Sequence, residues 1–289
     1  MPKKKVTIQY INEKKEKGEK LSRTALYDYP MAMFAELAGI EIINVGDSIA
    51  NVMFGYSSTL PADLDVMVEH AKAVRRGAPS AFIMGDMPFL SYQVSIPDAI
   101  KNAGRYIRDA DMDSVKVEGG TEVVPVIRAL TDASIPVIGH TGLTPQSIKA
   151  LGSYKTQGRD AEAALRLIKT VKALEEAGAV AIVLESVPNE VSKIIYEQSK
   201  VPIFGTGVGP YNDSPMINAY DMLGFFEKVP KFAKRYANLR EEIIKGFTAF
   251  VNDVQTGGYP GPEHCYHMME GEPEKLLTML AQLDGKTAE

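Results

Sequence analysis

The stretch Ala179-Val-Ala-Ile-Val-Leu-Glu185 decides the fold, because an unbroken apolar run is followed by an acid. A short run that is apolar throughout is typical of a strand covered on both faces, as in a parallel sheet. The other β-rich runs along the chain are Glu41–Asp47, Ala81–Asp86, Ser114–Glu118, Pro136–His140 and Pro202–Gly205, with weaker candidates at Ser22–Tyr27 and Met222–Glu227. The chain therefore offers about eight candidate strands.

Stretches with helical spacing separate most of these runs. They are Leu64–Arg76, Pro97–Ala110, Val123–Asp132, Asp160–Ala177 and Pro188–Ser199. Strands that alternate with helices indicate βαβ units and a parallel sheet. About eight such units favour a closed barrel, whereas six would also suit an open, doubly wound sheet.

The residues that end the runs favour the barrel. Five apolar runs finish on a polar or ionisable residue, namely Asp47, Asp86, Glu118, His140 and Glu185, and Asp28 follows a sixth. In a barrel, the carboxyl ends of all strands face one mouth, so these side chains would converge. In an open sheet they would form a line. No G-x-G-x-x-G follows the first strand, and Gly205-Thr-Gly-Val-Gly209 lacks that spacing. We therefore predict an α/β fold, a (β/α)8 TIM barrel.

The 289 residues suit a single barrel domain with additional helices at both ends. We predict one domain over 1–289, with an N-terminal helical extension at 1–20 and a C-terminal helical tail at 268–289. Val229–Phe250 has helical character, and Gly257–Pro262 is rich in turn residues. The apolar stripe of the last helix is formed by Leu276, Leu277, Leu280 and Leu283. We expect it to dock on the barrel or on a neighbouring subunit.

Composition excludes several classes of function. The net charge of −5 argues against a nucleic-acid surface, and the basic run Lys14–Lys20 is interrupted by acids. Cys265 is the only cysteine, so no disulfide can form within the chain. No apolar run approaches the roughly 18 residues of a membrane span. We expect a cytoplasmic protein with no membrane or nucleic-acid partner.

Two acids at strand ends, Asp47 and Asp86, suit Mg²⁺, which prefers oxygen ligands and keeps waters and substrate oxygens. Glu118 suits a third ligand or a group that holds a metal-bound water. The structural alternative is that each acid caps the helix that follows it.

Three further side chains are candidates for substrate chemistry. Lys116 lies two residues before Glu118, so both side chains share one face of a strand. The lysine suits binding of a carboxylate or a Schiff base, or the two form a structural ion pair. His140 precedes a glycine-containing loop and suits a hydrogen bond to substrate. Glu185, at the end of an apolar strand, suits a general base, or else pairs with a neighbouring Lys or Arg.

A series of motifs then identifies a family. In chain order they are Tyr27-Asp-Tyr29, Val45-Gly-Asp-Ser48, Ser58-Thr-Leu-Pro61, Ala73-Val-Arg-Arg-Gly-Ala78, Gly85-Asp-Met-Pro-Phe89, Lys116-Val-Glu-Gly-Gly120, Gly139-His-Thr-Gly-Leu-Thr-Pro-Gln146, Lys155-Thr-Gln-Gly-Arg159, Leu184-Glu-Ser-Val-Pro188, Pro230-Lys-Phe-Ala-Lys234 and Tyr259-Pro-Gly-Pro-Glu-His264. With these, the chain resembles ketopantoate hydroxymethyltransferases, in the phosphoenolpyruvate mutase and isocitrate lyase superfamily, from about Val6 to His267.

The resemblance implies a reaction and its cofactors. It implies transfer of a hydroxymethyl group from 5,10-methylenetetrahydrofolate to 3-methyl-2-oxobutanoate, giving 2-dehydropantoate on the route to pantothenate, with Mg²⁺ stabilising an enolate. The residue roles that it implies are metal binding for Asp47, Asp86 and Glu118, substrate binding for Ser48, Asp86, Lys116 and His140, and catalysis as the base for Glu185. It also implies a homo-oligomer, often a decamer in bacterial relatives.

The chain departs from the family pattern mainly in its loops. Ala25 replaces a usual Thr, Tyr220 replaces a familiar His, and the segments 51–57 and 205–215 differ. One hypothesis is that the enolising residues are retained while the acceptor pocket or folate site has changed. Two alternatives stay open at this stage: aldolase or lyase chemistry on another 2-oxo acid without folate, and a non-catalytic paralogue that binds a metabolite.

Overall fold

The structure, a computed structural model, describes residues 4–284 and contains a closed barrel of eight parallel strands. The strands are β1 (Arg23–Ala25), β2 (Ile42–Val45), β3 (Phe82–Asp86), β4 (Ser114–Glu118), β5 (Val137–Gly142), β6 (Ala181–Glu185), β7 (Ile203–Thr206) and β8 (Ser214–Asn218). Each strand pairs with the next along the chain, and β1 pairs with β8, with Arg23 opposite Met216. The (β/α)8 barrel predicted from the sequence is therefore confirmed.

Helices separate most of the strands, and further helices follow the last strand. In chain order they are α1 (Ile8–Glu16), α2 (Tyr29–Ala38), α3 (Ile49–Val52), α4 (Leu64–Gly77), α5 (Ile96–Ala110), α6 (Val124–Asp132), α7 (Ile148–Leu151), α8 (Ala161–Glu176), α9 (Asn189–Gln198), α10 (Ala219–Met222), α11 (Leu239–Thr256) and α12 (Glu272–Asp284). Short 3-10 turns lie at Thr121–Val123, Pro145–Ser147 and Pro262–His264. The five helices predicted between strands all occur, with ends within one residue of the predicted ones.

Two apolar cores explain why the strands are apolar throughout. One core fills the barrel and includes Ile42, Phe82 and Phe204. The other lies between the barrel and its helices and includes Ile43 and Ile83. Successive strand residues point to opposite faces, so both faces of each strand are buried. Polar side chains also enter the interior of the barrel, among them Arg23 and Ser114 at the starts of β1 and β4 and the acids at the carboxyl ends of the strands.

Two predictions of secondary structure were wrong. The last strand is Ser214–Asn218, not Met222–Glu227, where a short helix ends and a loop follows. The true strand contains Pro215 and is half-exposed toward its end, so it lacks the apolar run that marks the others. The helix predicted from Val229 begins only at Leu239, because Val229-Pro230 opens a loop. A residue that precedes proline is disfavoured in a helix.

The chain divides into two compact units, Met1–Ala237 and Asn238–Glu289. The first contains the barrel and α1, which lies inside the predicted extension at 1–20. The second contains α11 and α12, with the four stripe leucines of α12 exposed. Residues 1–3 and 285–289 of the predicted terminal segments lie outside the described residues, and the domain division drawn from the sequence stays a prediction. Within residues 4–284, every helix is too short or too polar to span a membrane.

Candidate active site

Polar side chains from neighbouring strands meet at one mouth of the barrel, around a cavity of about 140 Å³. The predicted site residues that line this cavity are Asp47, Ser48, Asp86, Lys116, His140 and Glu185. Glu118 lies behind them, with Oε2 3.3 Å from Nδ1 of His140 and 3.9 Å from Nζ of Lys116. The structure thus brings all seven residues together, while their roles stay a prediction.

Side chains along β4 point alternately to its two faces, and this alternation directs the site residues into the barrel. Val115 and Val117 pack in the core between barrel and helices. Lys116 and Glu118 therefore point into the barrel, as their spacing predicted. Both are more than nine-tenths buried, so each needs a partner of opposite charge or a hydrogen bond.

Lys116 is the central cation of the site. Its Nζ lies 2.9 Å from Oδ2 of Asp86 and 3.1 Å from Nδ1 of His140. Burial lowers the pKa of the ammonium group, but the carboxylates of Asp86, Asp47 and Glu118 outweigh it and hold the pKa above its ordinary value. A lysine that stays protonated is not a nucleophile, so the geometry favours binding of a carboxylate over a Schiff base.

The three buried acids differ in their electrostatic surroundings. Burial raises the pKa of Asp47 to about 7, with Lys116 opposing it and Asp86 adding to it. Burial also raises the pKa of Asp86, against the attraction of Lys116. For Glu118, burial is outweighed by His140 and Lys116, which hold its pKa below the usual range. Asp47 and Asp86 are thus the acids whose negative charge is least compensated.

His140 connects two acids from its neighbouring strands. Its Nδ1 faces Glu118, and its Nε2 lies 3.3 Å from Oε2 of Glu185. Burial and Lys116 lower the pKa of the ring, but Glu118 and Glu185 outweigh them and raise it. Glu185 is only partly buried and lines the cavity, so its carboxylate can reach a ligand there. Its ionic contact is with His140 rather than with the Lys or Arg that the sequence left open.

The helix-cap alternative applies to one acid but not to the others. Asp28 caps α2 through a hydrogen bond to its Oδ1 from the backbone N–H of Met31, 2.8 Å long. Asp47 is not a cap, because Ser48 occupies the N-cap position of α3 and makes no side-chain capping bond. Asp86 instead accepts hydrogen bonds from the backbone N–H of Asp47 (3.3 Å) and from Lys116.

The donors at the mouth fit a divalent cation held by few side chains. Oδ1 of Asp86 is buried and has no hydrogen-bond partner among the described residues. A Cβ on Gly46 would lie 3.3 Å from Oδ2 of Asp86 and 2.8 Å from Oγ of Ser48, so the backbone approaches these groups closely. Within residues 4–284, no three His, Cys, Asp or Glu side chains form a complete ligand set. Mg²⁺ commonly takes only one or two carboxylates and completes its shell with water and substrate oxygens.

The sequence did not point to several residues of the site, among them Arg23, Tyr27 and Gln146. Arg23 lines the cavity and is buried, with Nη2 donating to the carbonyl of Gly205 at 3.0 Å. The hydroxyl of Tyr27 lies 2.8 Å from Oγ of Ser48 and orients it. Gln146 donates to Asp47 at 2.8 Å. The available signal was the inward position of Arg23 on a strand, and for Gln146 its place at the end of a quoted motif.

His70 and the His264–Cys265 region have local contacts of their own. Nδ1 of His70 is 2.6 Å from the backbone carbonyl of Tyr27, which fits the structural role expected of it. In the second unit, His264 hydrogen-bonds the N–H of Gly261, and Cys265 is exposed. His70 does not line the cavity at the barrel mouth.

Comparison with known proteins identifies the family. The model of the ketopantoate hydroxymethyltransferase family matches residues 5–262. The chain belongs to the ketopantoate hydroxymethyltransferase family. The resemblance inferred from the motifs is therefore confirmed, and the cavity at the barrel mouth is the candidate active site of a member of this enzyme family.

Two curated relatives of this chain are 3-methyl-2-oxobutanoate hydroxymethyltransferases. The chain is 43% identical over 272 residues to the 3-methyl-2-oxobutanoate hydroxymethyltransferase of Syntrophomonas wolfei, covering 94% of this chain and 99% of the relative. It is 46% identical over 259 residues to the enzyme of the same name from Bacillus cereus strain AH187, covering 89% and 93%. These relatives extend over nearly the whole chain.

Solved structures of more distant proteins share the fold of this family member. A 2,3-dimethylmalate lyase of the PEP mutase/isocitrate lyase superfamily has a TM-score of 0.58 at 17% identity, covering 97% of this chain and 99% of that one. A phosphonopyruvate hydrolase, solved with oxalate and Mg²⁺, has a TM-score of 0.59 at 14% identity, covering 96% and 97%. At this identity the likeness shows the barrel fold alone.

Proposed function

We propose that the chain transfers a hydroxymethyl group from 5,10-methylenetetrahydrofolate to 3-methyl-2-oxobutanoate, forming 2-dehydropantoate for pantothenate biosynthesis. The observation that carries the proposal is the meeting of Asp47, Asp86, Lys116, His140 and Glu185 around one cavity in a chain of this family. The new carbon comes from the folate methylene and the hydroxyl oxygen from water, so the balanced reaction releases tetrahydrofolate.

The chain's own residues would first bind and orient the oxo acid. The ammonium group of Lys116 suits the substrate carboxylate, because it carries a positive charge at the wall of the cavity. The hydroxyl of Ser48, oriented by Tyr27, adds a hydrogen bond to the same ligand. Such fixed contacts hold the reacting carbon in position and reduce the entropic part of the barrier.

Glu185 is the base in this proposal. The carbon next to the keto group is a weak acid, and its proton would pass to the carboxylate of Glu185 at the edge of the cavity. The ring of His140 lies beside this carboxylate, with Nε2 3.3 Å from Oε2. Mg²⁺, which Asp47 and Asp86 would hold with Glu118 behind them, supplies Lewis-acid stabilisation of the enolate charge when bound.

Family membership favours this reaction over the folate-free lyase and the non-catalytic paralogue considered from the sequence. The departures at 51–57, 205–215 and Tyr220 are the positions where a changed acceptor pocket would arise. We also propose, from the resemblance alone, a cytoplasmic homo-oligomer, often a decamer in bacterial relatives. Light scattering of the purified protein measures the number of subunits.

The test of the function is an assay of the purified protein with 3-methyl-2-oxobutanoate, Mg²⁺ and 5,10-methylenetetrahydrofolate. We expect 2-dehydropantoate in the complete mixture, detected by NMR or mass spectrometry, and none when folate or oxo acid is left out. Release of a small aldehyde or oxo acid without folate would instead support lyase chemistry. Binding of Mg²⁺ with no turnover of any oxo acid would support the non-catalytic paralogue.

A further inference from the structure

Gln146 touches the carboxyl ends of three strands from the loop that follows a fourth. It lies in the 3-10 turn Pro145–Ser147 after β5 and is only 5% exposed. Its side-chain Nε2 donates to Oδ2 of Asp47 at 2.8 Å and to the backbone carbonyl of Met87 at 3.0 Å. Its backbone N–H donates to Oε1 of Glu118 at 2.6 Å. The residue therefore links the ends of β2, β3 and β4.

The side-chain amide of Gln146 uses its whole hydrogen-bonding capacity. The Nε2 group has two N–H donors and the Oε1 atom has two lone pairs. Oε1 accepts from the hydroxyl of Tyr92 at 2.8 Å and from the side-chain amide of Gln93 at 3.3 Å. A buried amide with four partners has one orientation, because exchanging the positions of Oε1 and Nε2 would break these hydrogen bonds.

The chemistry of the partners fixes which end of the amide faces Asp47. A carboxylate and a backbone carbonyl only accept hydrogen bonds, so Nε2 must face Asp47 and Met87. The Tyr92 hydroxyl, itself buried, lies on the other side, where its single proton is shared between Oε1 of Gln146 at 2.8 Å and the backbone carbonyl of Glu118 at 2.7 Å. Glutamine is thus matched to this position by both its shape and its donors, whereas a methionine of similar size would lose all four bonds.

These contacts act on the acids that the proposed function assigns to the cation. Gln146 holds Oδ2 of Asp47, the chain directly after Asp86, and Oε1 of Glu118. We propose that Gln146 is a positioning residue that presents these acids to a divalent cation, with Tyr92 holding Gln146 in place. This inference rests on the proposed function only for the location of the cation. Groups behind metal ligands commonly change metal affinity by about 10–100-fold when they are removed.

The test compares cation affinity in matched variants. Mn²⁺ binding to the full chain is measured by electron paramagnetic resonance without oxo acid or folate, so that the readout does not depend on turnover. We expect Q146M to weaken Mn²⁺ binding by about 10–100-fold. The control Q198M makes the same change at an exposed position on α9 and should bind Mn²⁺ as the wild type does.

A second readout separates positioning from loss of structure. If Gln146 acts on cation affinity, the turnover of Q146M should be restored by raising Mg²⁺ about 10–100-fold, in proportion to the loss of affinity. Wild-type affinity in folded Q146M would overturn the proposal, and so would a rate that excess Mg²⁺ leaves unchanged. If Q146M does not fold, Y92F takes its place. It removes the hydroxyl that contacts both Oε1 of Gln146 and the backbone carbonyl of Glu118. Y92F should weaken Mn²⁺ binding in the same direction, and unchanged affinity in Y92F would overturn the proposal.

The outcomes distinguish this proposal from the proposed function. A wild-type protein that binds Mn²⁺ but makes no 2-dehydropantoate would overturn the function, while weaker binding in Q146M would still support positioning. A protein that makes 2-dehydropantoate with equal Mn²⁺ affinity in wild type and Q146M would overturn positioning alone. A wild-type protein that binds no divalent cation would overturn both.

Discussion

Glu185 and His140 face each other across the neighbouring strands β6 and β5, with Oε2 of the carboxylate 3.3 Å from Nε2 of the ring. The other ring nitrogen faces Glu118, so the histidine is held between two acids. Both residues line the cavity, but their exposure differs. Glu185 is partly exposed, whereas His140 is 1% exposed. This arrangement leaves the carboxylate available to substrate, with the buried ring of His140 behind it.

Replacement of Glu185 by Gln should remove the base and keep the shape of the side chain. We expect kcat to fall by roughly 10²–10⁴-fold, the usual contribution of a general base. The same variant should lose exchange of the C3 proton of 3-methyl-2-oxobutanoate with D2O, followed by proton NMR without folate. E190Q, an exposed acid on α9, is the matched control. Wild-type exchange in E185Q would assign the base elsewhere.

Replacement of Asp86 by Ala should abolish cation-dependent turnover. The carboxylate has an unpartnered buried oxygen, and its other oxygen lies 2.9 Å from Nζ of Lys116. Without it, one of the two acids proposed for the cation is missing, and Lys116 loses its nearest acid. Circular dichroism should still show a folded barrel, because Lys116 keeps Glu118 at 3.9 Å. D109N, an exposed aspartate on α5, should leave turnover unchanged. Turnover that survives in D86A would contradict the proposed metal site.

The barrel could be predicted because its evidence is local. Each apolar run that ends in a polar residue is by itself evidence for a strand. Because the strands are parallel, their carboxyl ends converge at one mouth. The strand Ser214–Asn218 carries no such signal, because it contains Pro215 and is covered less completely than the others. Its position follows from closure of the sheet between β7 and β1, which is a property of the whole barrel.

The acids of the candidate site could be predicted from the sequence. The residues that hydrogen-bond the site residues and orient them could not. Asp47 and Glu118 stand at strand ends and have a type of side chain that suggests chemistry. Gln146 is an amide in a loop, and its importance comes from contacts with residues 99 and 28 positions away. Tyr27 orients Ser48 from 21 positions away. Spacing along one chain gives no information on such contacts, because they arise only when the barrel closes.

Gly142 should be necessary for the position of Glu185. It ends β5 with a φ of +94°, and a Cβ there would lie 2.3 Å from the carbonyl oxygen of Glu185. We expect G142A to lower the free energy of unfolding by more than the roughly 1–3 kcal/mol of backbone strain alone, since the chain at Glu185 must also move. The displaced base should lower kcat as well.

Gly152 provides a matched control for that substitution. Its φ is +73°, but a Cβ there would meet nothing within 4 Å. G152A should therefore show the strain without the displacement, so that urea denaturation detects a loss of stability while kcat stays at the wild-type value. Equal kcat values in folded G142A and G152A would argue that the approach of Gly142 to Glu185 does not position the base.

Arg23 is a buried cation at the cavity wall whose hydrogen bonds all go to neutral groups. Its nitrogens donate to backbone carbonyls of Gly205 and Ser214, to Thr206 and to Asn44, over distances of 3.0–3.4 Å. Burial lowers the pKa of its guanidinium group to about 9, with Asp86 and Glu185 opposing the shift, so the group stays charged at neutral pH.

This positive charge should matter more for substrate affinity than for stability. R23M removes four hydrogen bonds to neutral groups, which destabilises the protein. It also removes a buried charge that no carboxylate within residues 4–284 contacts, which stabilises it. Because these effects oppose each other, the free energy of unfolding should change by less than about 3 kcal/mol. The anionic oxo acid, however, loses a nearby cation, so its KM should rise with a smaller effect on kcat. Urea denaturation and initial rates over a range of oxo acid concentrations measure the two effects, with the exposed R166M as the control. If KM is unchanged in R23M while the free energy of unfolding falls by more than about 3 kcal/mol, Arg23 contributes to stability and not to substrate binding.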